Sequence, residues 1–156
     1  MKKAPIIENL INYRNNLPFS GHIPGHKNGQ IIPPRLEKIW PEEIWHYDLT
    51  EVENMDNLHN PTGCIQEAQK LTAELFNARS SYFLVNGTSV GIQAAILALA
   101  YQSPIFVPRN VHKSVYNGLI LANAQPIYLP VTYEENWGFP LGIEPEVLKE
   151  WIEKYP

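Results

Sequence analysis

The rhythm of apolar and polar positions changes near Gly63. Beyond it, Ile65, Ala68, Leu71, Leu75 and Phe76 recur at helical spacing, and Gln66, Glu67, Gln69, Lys70 and Glu74 fill the opposite face. That pattern predicts an amphipathic helix over 65–76. Ser81-Tyr82-Phe83-Leu84-Val85 is a short aromatic and β-branched run, which predicts a buried strand. The polar turn Asn86-Gly87-Thr88-Ser89 follows. Val90 to Tyr101 is apolar on nearly all sides, as a helix buried against a sheet would be. Ile105-Phe106-Val107 and Pro126-Ile127-Tyr128-Leu129 read as two further strands, with a helix over Ser114 to Ala122 between them. Pro145 opens a last helix whose apolar stripe is Val147, Leu148, Trp151, Ile152 and Tyr155. Strands alternating with helices predict parallel strands joined by crossover helices, an α/β fold.

Before Gly63 the chain is less regular. Pro5 to Asn15 suits a short helix with Ile6, Ile7, Leu10 and Ile11 on one face. Pro18 to Gly29 contains Pro18, Pro24, Gly21, Gly25 and Gly29, so it reads as an ordered loop rather than a helix. Trp40 to Pro61 is mostly irregular. Two segments result: 1–62, a helix with extended loops, and 63–156, the regular α/β part.

The chain has 156 residues, which suits one domain of ordinary size. Its net charge of −4 lacks the basic excess of a nucleic-acid binder, so no nucleic-acid partner is expected. Cys64 is the single cysteine and allows no intrachain disulfide, which fits a reducing cytoplasm. The first residues lack the long apolar stretch of a signal peptide, and Val90 to Tyr101 is too short to span a bilayer. A cytoplasmic protein without a membrane partner is expected.

The strongest chemical signal is the strand–turn–helix junction at Gly87, Thr88 and Ser89. In α/β sheets, ligands bind beyond the carboxyl ends of strands, and the unpaired N–H groups of a helix start hold phosphate. The competing reading is that Thr88 or Ser89 merely caps the helix. It is not a Walker loop, because no Gly-Lys-Ser/Thr ending follows. Pro108-Arg109-Asn110-Val111-His112-Lys113-Ser114 ends the next strand on the same expected rim. There His112 can stack on a flat ligand, with Arg109 and Lys113 placed for an anion. The alternative is a solvated cation pair with His112 capping the next helix. His22 and His26 are separated by Pro24-Gly25 and cannot share a helix face, so no metal site is expected. The acidic run Asp48 to Asp56 reads as a solvated, turn-rich surface, and Cys64 as a packing residue.

Several strings occur together and in one order. They are Gly21-His22-Ile23-Pro24-Gly25-His26-Lys27, Asp48-Leu49-Thr50-Glu51, Asp56-Asn57-Leu58-His59-Asn60-Pro61-Thr62-Gly63 and Glu67-Ala68-Gln69. Phe83 to Ser89 and Val107 to Ser114 complete the set. Together they resemble the N-terminal part of the large domain of the ornithine/lysine/arginine decarboxylases, fold-type I enzymes dependent on pyridoxal 5′-phosphate (PLP). The resemblance runs from about Leu17 to the chain end. It implies a partial three-layer α/β/α PLP-transferase-like domain with a mainly parallel sheet.

By that resemblance, Gly87, Thr88 and Ser89 hold the PLP phosphate and His112 stacks on the pyridine ring. The substrate would be a basic amino acid, converted to a polyamine or its precursor, and the complete enzyme a homodimer or higher oligomer. The stretch Tyr101-Gln102-Ser103-Pro104 departs from the family, which usually has a glycine-acidic pair before the second strand. The chain also stops before the family's ring-nitrogen aspartate and its Ser-x-His-Lys segment, so the Schiff-base lysine is expected beyond Pro156. Lys113 adjoins the ring-stacking position and is not assigned that role. On this reading no catalytic residue lies in the chain, and it is inactive alone. The alternative is a non-catalytic module that associates with a full-length decarboxylase subunit.

Overall fold

The computed structural model describes residues 3–16 and 19–155. Leu17, where the resemblance begins, and Pro18 of the predicted loop lie outside them. The chain forms two compact units, 1–83 and 84–156.

In the first unit, α1 (Pro5–Asn16) packs against α3 (Cys64–Leu75), with the short α2 (Pro34–Glu37) and a 3-10 helix (Glu42–His46) between them in sequence. The helix grouped by its periodicity with the regular half therefore packs in the first unit. Cys64, Gln69 and Ala73 form its buried positions, and Cys64 is a free, buried thiol. Lys3 Nζ bridges to Glu67 at 3.0 Å on the exposed side.

The start of α3 has an unusual cap. Its N-cap is Gly63, which has no side chain to offer the unpaired N–H groups. The carboxylate of Asp56 replaces it. Oδ2 accepts the N–H groups of Gly63 (2.9 Å), Ile65 (2.9 Å) and Gln66 (3.1 Å). Oδ1 accepts those of Asn57 (2.9 Å) and Thr62 (2.8 Å). The acidic run is thus more than solvated surface: its last carboxylate closes the 56–63 loop onto the helix. Asp48 is also engaged, accepting from His26 Nε2 at 3.3 Å.

The second unit contains α4 (Thr88–Ala100), β1 (Pro104–Pro108), α5 (Lys113–Leu121), β2 (Gln125–Leu129) and α6 (Pro145–Lys154). β1 and β2 pair in parallel, with Phe106 opposite Ile127. Ile96, Ala100, Val107, Leu119 and Ala122 form the buried core. Close approach of the two helices depends on Gly118, where a Cβ would lie 2.8 Å from Ile96 Cδ1 and 3.3 Å from Gln93 Cα. Mixed helices with a parallel sheet make this a partial α/β domain, as predicted.

Two expectations fail here. Residues 81–85 are not a strand, and Tyr82 is 76% exposed. A strand needs a ladder partner, and among the described residues β1 and β2 pair only with each other. α4 is not buried on all sides either: Leu99 is 84% exposed, because a two-stranded sheet covers only one side of the helix.

Left-handed backbone is concentrated at asparagines: Asn28, Asn54, Asn77, Asn86 and Asn123 all have positive φ, joined by Lys27 and Gln102. Asparagine tolerates this conformation better than most residues. Among the described residues no helix is long and apolar enough to cross a membrane.

Candidate functional site

Gly87 sits at φ +73°, ψ −177°, a region open almost only to glycine. A Cβ built there meets no atom within 4 Å, so the turn faces open space. Gly87 is the N-cap of α4 and supplies no side-chain cap. Val90 N–H reaches back to Gly87 C=O at 3.3 Å, which leaves the Thr88 and Ser89 N–H groups as the unpaired donors of the helix start. Both residues are exposed, and the first turn of α4 has no acidic residue. Capping by Thr88 or Ser89 is not what the structure shows. Among the described residues these donors have no partner, and unpaired N–H groups at a helix start can accept an anion.

His112 is the N-cap of α5. Its Nδ1 accepts the Ser114 N–H at 3.2 Å and lies 2.8 Å from Ser114 Oγ. Accepting at Nδ1 places the ring proton on Nε2. The ring is therefore fixed by the cap, while the residue stays exposed. The capping reading and the stacking reading are compatible, since the cap uses a ring edge and stacking would use a face. Arg109 is less available than the sequence suggests. Its guanidinium lies 5.3 Å from the centre of the Tyr128 ring, and its carbonyl accepts from Tyr116 Oη at 2.9 Å. Lys113 is exposed at the first position of α5.

The two turns open at the same end of the second unit. Gln102 N–H donates to Ala122 C=O (2.9 Å) and Gln125 N–H to Ser103 C=O (3.0 Å), so the carboxyl ends of α4 and α5 come together. Further back, Gly118 lies against Ile96 and Gln93. The helices therefore run in the same direction. α5 starts just beyond the carboxyl end of β1, and the start of α4 shares that rim. No hydrogen bond joins the Gly87 turn to His112 among the described residues.

The loop histidines of the first unit do not converge. His22 donates from Nδ1 to its neighbour's carbonyl, Ile23 O (2.6 Å), and accepts Tyr13 Oη–H at Nε2 (2.9 Å). His26 accepts Gly29 N–H at Nδ1 (3.2 Å), and its Nε2 faces Asp48. These rings are structural fasteners of the loop. Among the described residues no three His, Cys, Asp or Glu side chains gather as a metal site would need.

Asp56 was missed by sequence reasoning. Burial raises its pKa, but the Thr62, Gly63, Asn57 and Gln66 N–H groups favour the charged form more strongly and bring it down to about 2. The signal was present, an Asx-rich turn ahead of a helix whose cap is glycine.

Comparison with known proteins gives a consistent result. The family model described as Orn/Lys/Arg decarboxylase, major domain, matches residues 4–156. The chain is 37% identical over 154 residues to the protein YaaO of Bacillus subtilis, covering 98% of this chain and 32% of that relative. It is 34% identical over 155 residues to the arginine decarboxylase of the same organism, covering 99% and 32%. Lysine decarboxylase A from Pseudomonas aeruginosa superimposes with a TM-score of 0.71 at 25% identity, covering 97% of this chain and 22% of that one. The chain thus spans about a third of the length of these curated relatives.

Proposed function

We propose a function from the premise that this chain belongs to the Orn/Lys/Arg decarboxylase family: it forms the cofactor-phosphate end of a PLP-dependent decarboxylase of basic amino acids. Gly87, Thr88 and Ser89 hold the phosphate, and His112 covers the pyridine ring. The observation that carries this reading is the common rim. Parallel packing of α4 and α5 brings a free, uncapped helix start to the same end as an exposed histidine whose ring is held by its own cap.

The residues present fit the group. Gly87 lets backbone approach the phosphate without a Cβ in the way. The Thr88 and Ser89 N–H groups and hydroxyls donate to its oxygens, and no carboxylate in the first turn opposes its charge. The His112–Ser114 contact holds the imidazole in one tautomer, so its face meets the ring without a conformational search. When bound, PLP supplies an electron sink for the negative charge left at a carbon that loses carbon dioxide. The same reading places the protein in the cytoplasm and in a homodimer or larger assembly, with a basic amino acid as substrate.

Equilibrium dialysis of the chain against PLP tests this. The Thr88→Val/Ser89→Ala double variant is expected to weaken retention by about tenfold or more, the value of lost charge-assisted hydrogen bonds. Inorganic phosphate is expected to compete. Equal retention by wild type and the double variant would overturn the assignment.

A further inference from the structure

Asn86 and Gly87 both hold positive φ, at 63° and 73°. Asparagine and glycine tolerate such backbone, but tolerance does not select one conformation over the others open to them. Among the described residues no side chain caps the helix that these two lead into. The bond from Val90 N–H to Gly87 C=O, at 3.3 Å, is long. The shape of the turn therefore needs a further source.

An apolar contact beside the turn supplies it. Leu84 precedes the turn, and Gly91 follows it within α4. A Cβ added to Gly91 would lie 2.5 Å from Leu84 Cδ1, 3.7 Å from Cγ and 3.8 Å from Cδ2. The end of the leucine thus occupies the space that a side chain at position 91 would fill. Side chains on a helix lean toward its N-terminus, so that space lies beside the first turn, which carries Thr88 and Ser89. The contact closes a loop over 85–90 that contains the whole Gly87 turn.

Each partner in this contact is hard to explain without the other. Elsewhere the small positions of α4 are alanines, at 94, 95, 98 and 100, and glycine is a far poorer helix former. Leu84 is 51% exposed and lies outside the buried core of the second unit, so it is not there to fill that core. The glycine gives up helix propensity to admit the leucine, and the leucine gives up burial to reach the glycine. We propose that Leu84, seated on Gly91, is a positioning residue that latches the Asn86–Ser89 turn in the conformation that leaves the Thr88 and Ser89 N–H groups unpaired. The latch stands on geometry within the second unit. Its bearing on a cofactor rests on the reading of this turn as a phosphate site.

The test uses Gly91→Ala, Leu84→Ala and the two together in the full chain. NMR scalar couplings of the Asn86 backbone report its φ without ligand, and dialysis reports PLP retention. Gly91→Ala puts a methyl where Leu84 Cδ1 lies and improves helix propensity, so the urea midpoint is expected to stay at or above that of wild type. Asn86 is nonetheless expected to populate negative φ, and PLP retention to fall about tenfold. Leu84→Ala is expected to affect the turn and retention in the same way. Because each single change breaks the same contact, the double variant is expected to bind no worse than the weaker single variant. Leu84→Met keeps an apolar reach to Gly91 and is expected to stay within about twofold of wild type. A left-handed Asn86 with wild-type PLP retention in both single variants would overturn the latch. So would losses that multiply in the double variant, or a Leu84→Met protein no better than Leu84→Ala. A wild type that retains no PLP would instead remove the phosphate reading, and the Asn86 couplings would then decide the latch alone.

Discussion

Asp56 Oδ2 accepts the backbone N–H of Gly63 at 2.9 Å, reaching across seven residues to cap a helix whose own N-cap has no side chain. Asp56→Asn would keep the shape but turn an amide N–H₂ toward some of the five donors that now face carboxylate oxygen. Chemical denaturation is expected to show a loss of about 2–3 kcal/mol. An unchanged midpoint would mean that the loop holds without the cap.

The same carboxylate predicts an acid limb. Its pKa falls from 3.8 to about 2 in the folded chain, the backbone donors outweighing burial. The unfolded chain therefore takes up this proton first as pH falls. The stabilisation is complete above about pH 4 and is lost as pH drops through about 2. With solvent screening it amounts to about 1–2 kcal/mol. Asp56→Asn is expected to flatten this limb between pH 4 and pH 2 in denaturation curves.

His112 caps α5, and the proposed function gives it a second, separable role over the pyridine ring. His112→Asn retains a good N-cap and is expected to leave stability within about 0.5 kcal/mol while weakening PLP retention about tenfold. His112→Ala loses cap and ring together and is expected to cost about 1 kcal/mol as well. Equal PLP retention by all three proteins would remove His112 from the cofactor site.

Gly118 tests the packing that aligns α4 with α5. In Gly118→Ala the methyl meets Ile96 Cβ at 3.2 Å and Gln93 Cα at 3.3 Å, contacts that a rotamer change cannot clear. Overpacking is expected to outweigh the better helix propensity, for a net loss of about 1–2 kcal/mol. The loss should shrink in an Ile96→Val background, measured as a double-mutant cycle.

Gly87→Ala isolates backbone strain, because the added methyl has room and only the dihedral angles object. About 1–3 kcal/mol is expected in urea denaturation. A neutral result would show that the turn relaxes out of its present conformation.

All five long helices among the described residues were legible, because their periodicity or apolar length is local information. So were β1 and β2, whose apolar runs end in proline or polar turns. Residues 81–85 carry the same composition, yet composition cannot supply the neighbour that a ladder needs. The Gly87 turn and His112 could be placed on one rim because crossover connections make successive helices run alike. Asp56 escaped because its accepting carboxylate comes from seven residues before the N-cap, so its signal lay in the Asx-rich turn and not at the position where a cap is sought.

The left-handed Asn86 next to Gly87 also governs how the protein ages. In an exposed Asn–Gly pair the glycine nitrogen can attack the side-chain carbonyl, expelling ammonia, and water then opens the imide to a carboxylate. A negative charge would appear one residue before the Gly87 turn, where the proposed function puts the cofactor phosphate. Storage in mild alkali should therefore erode cofactor retention while the fold persists.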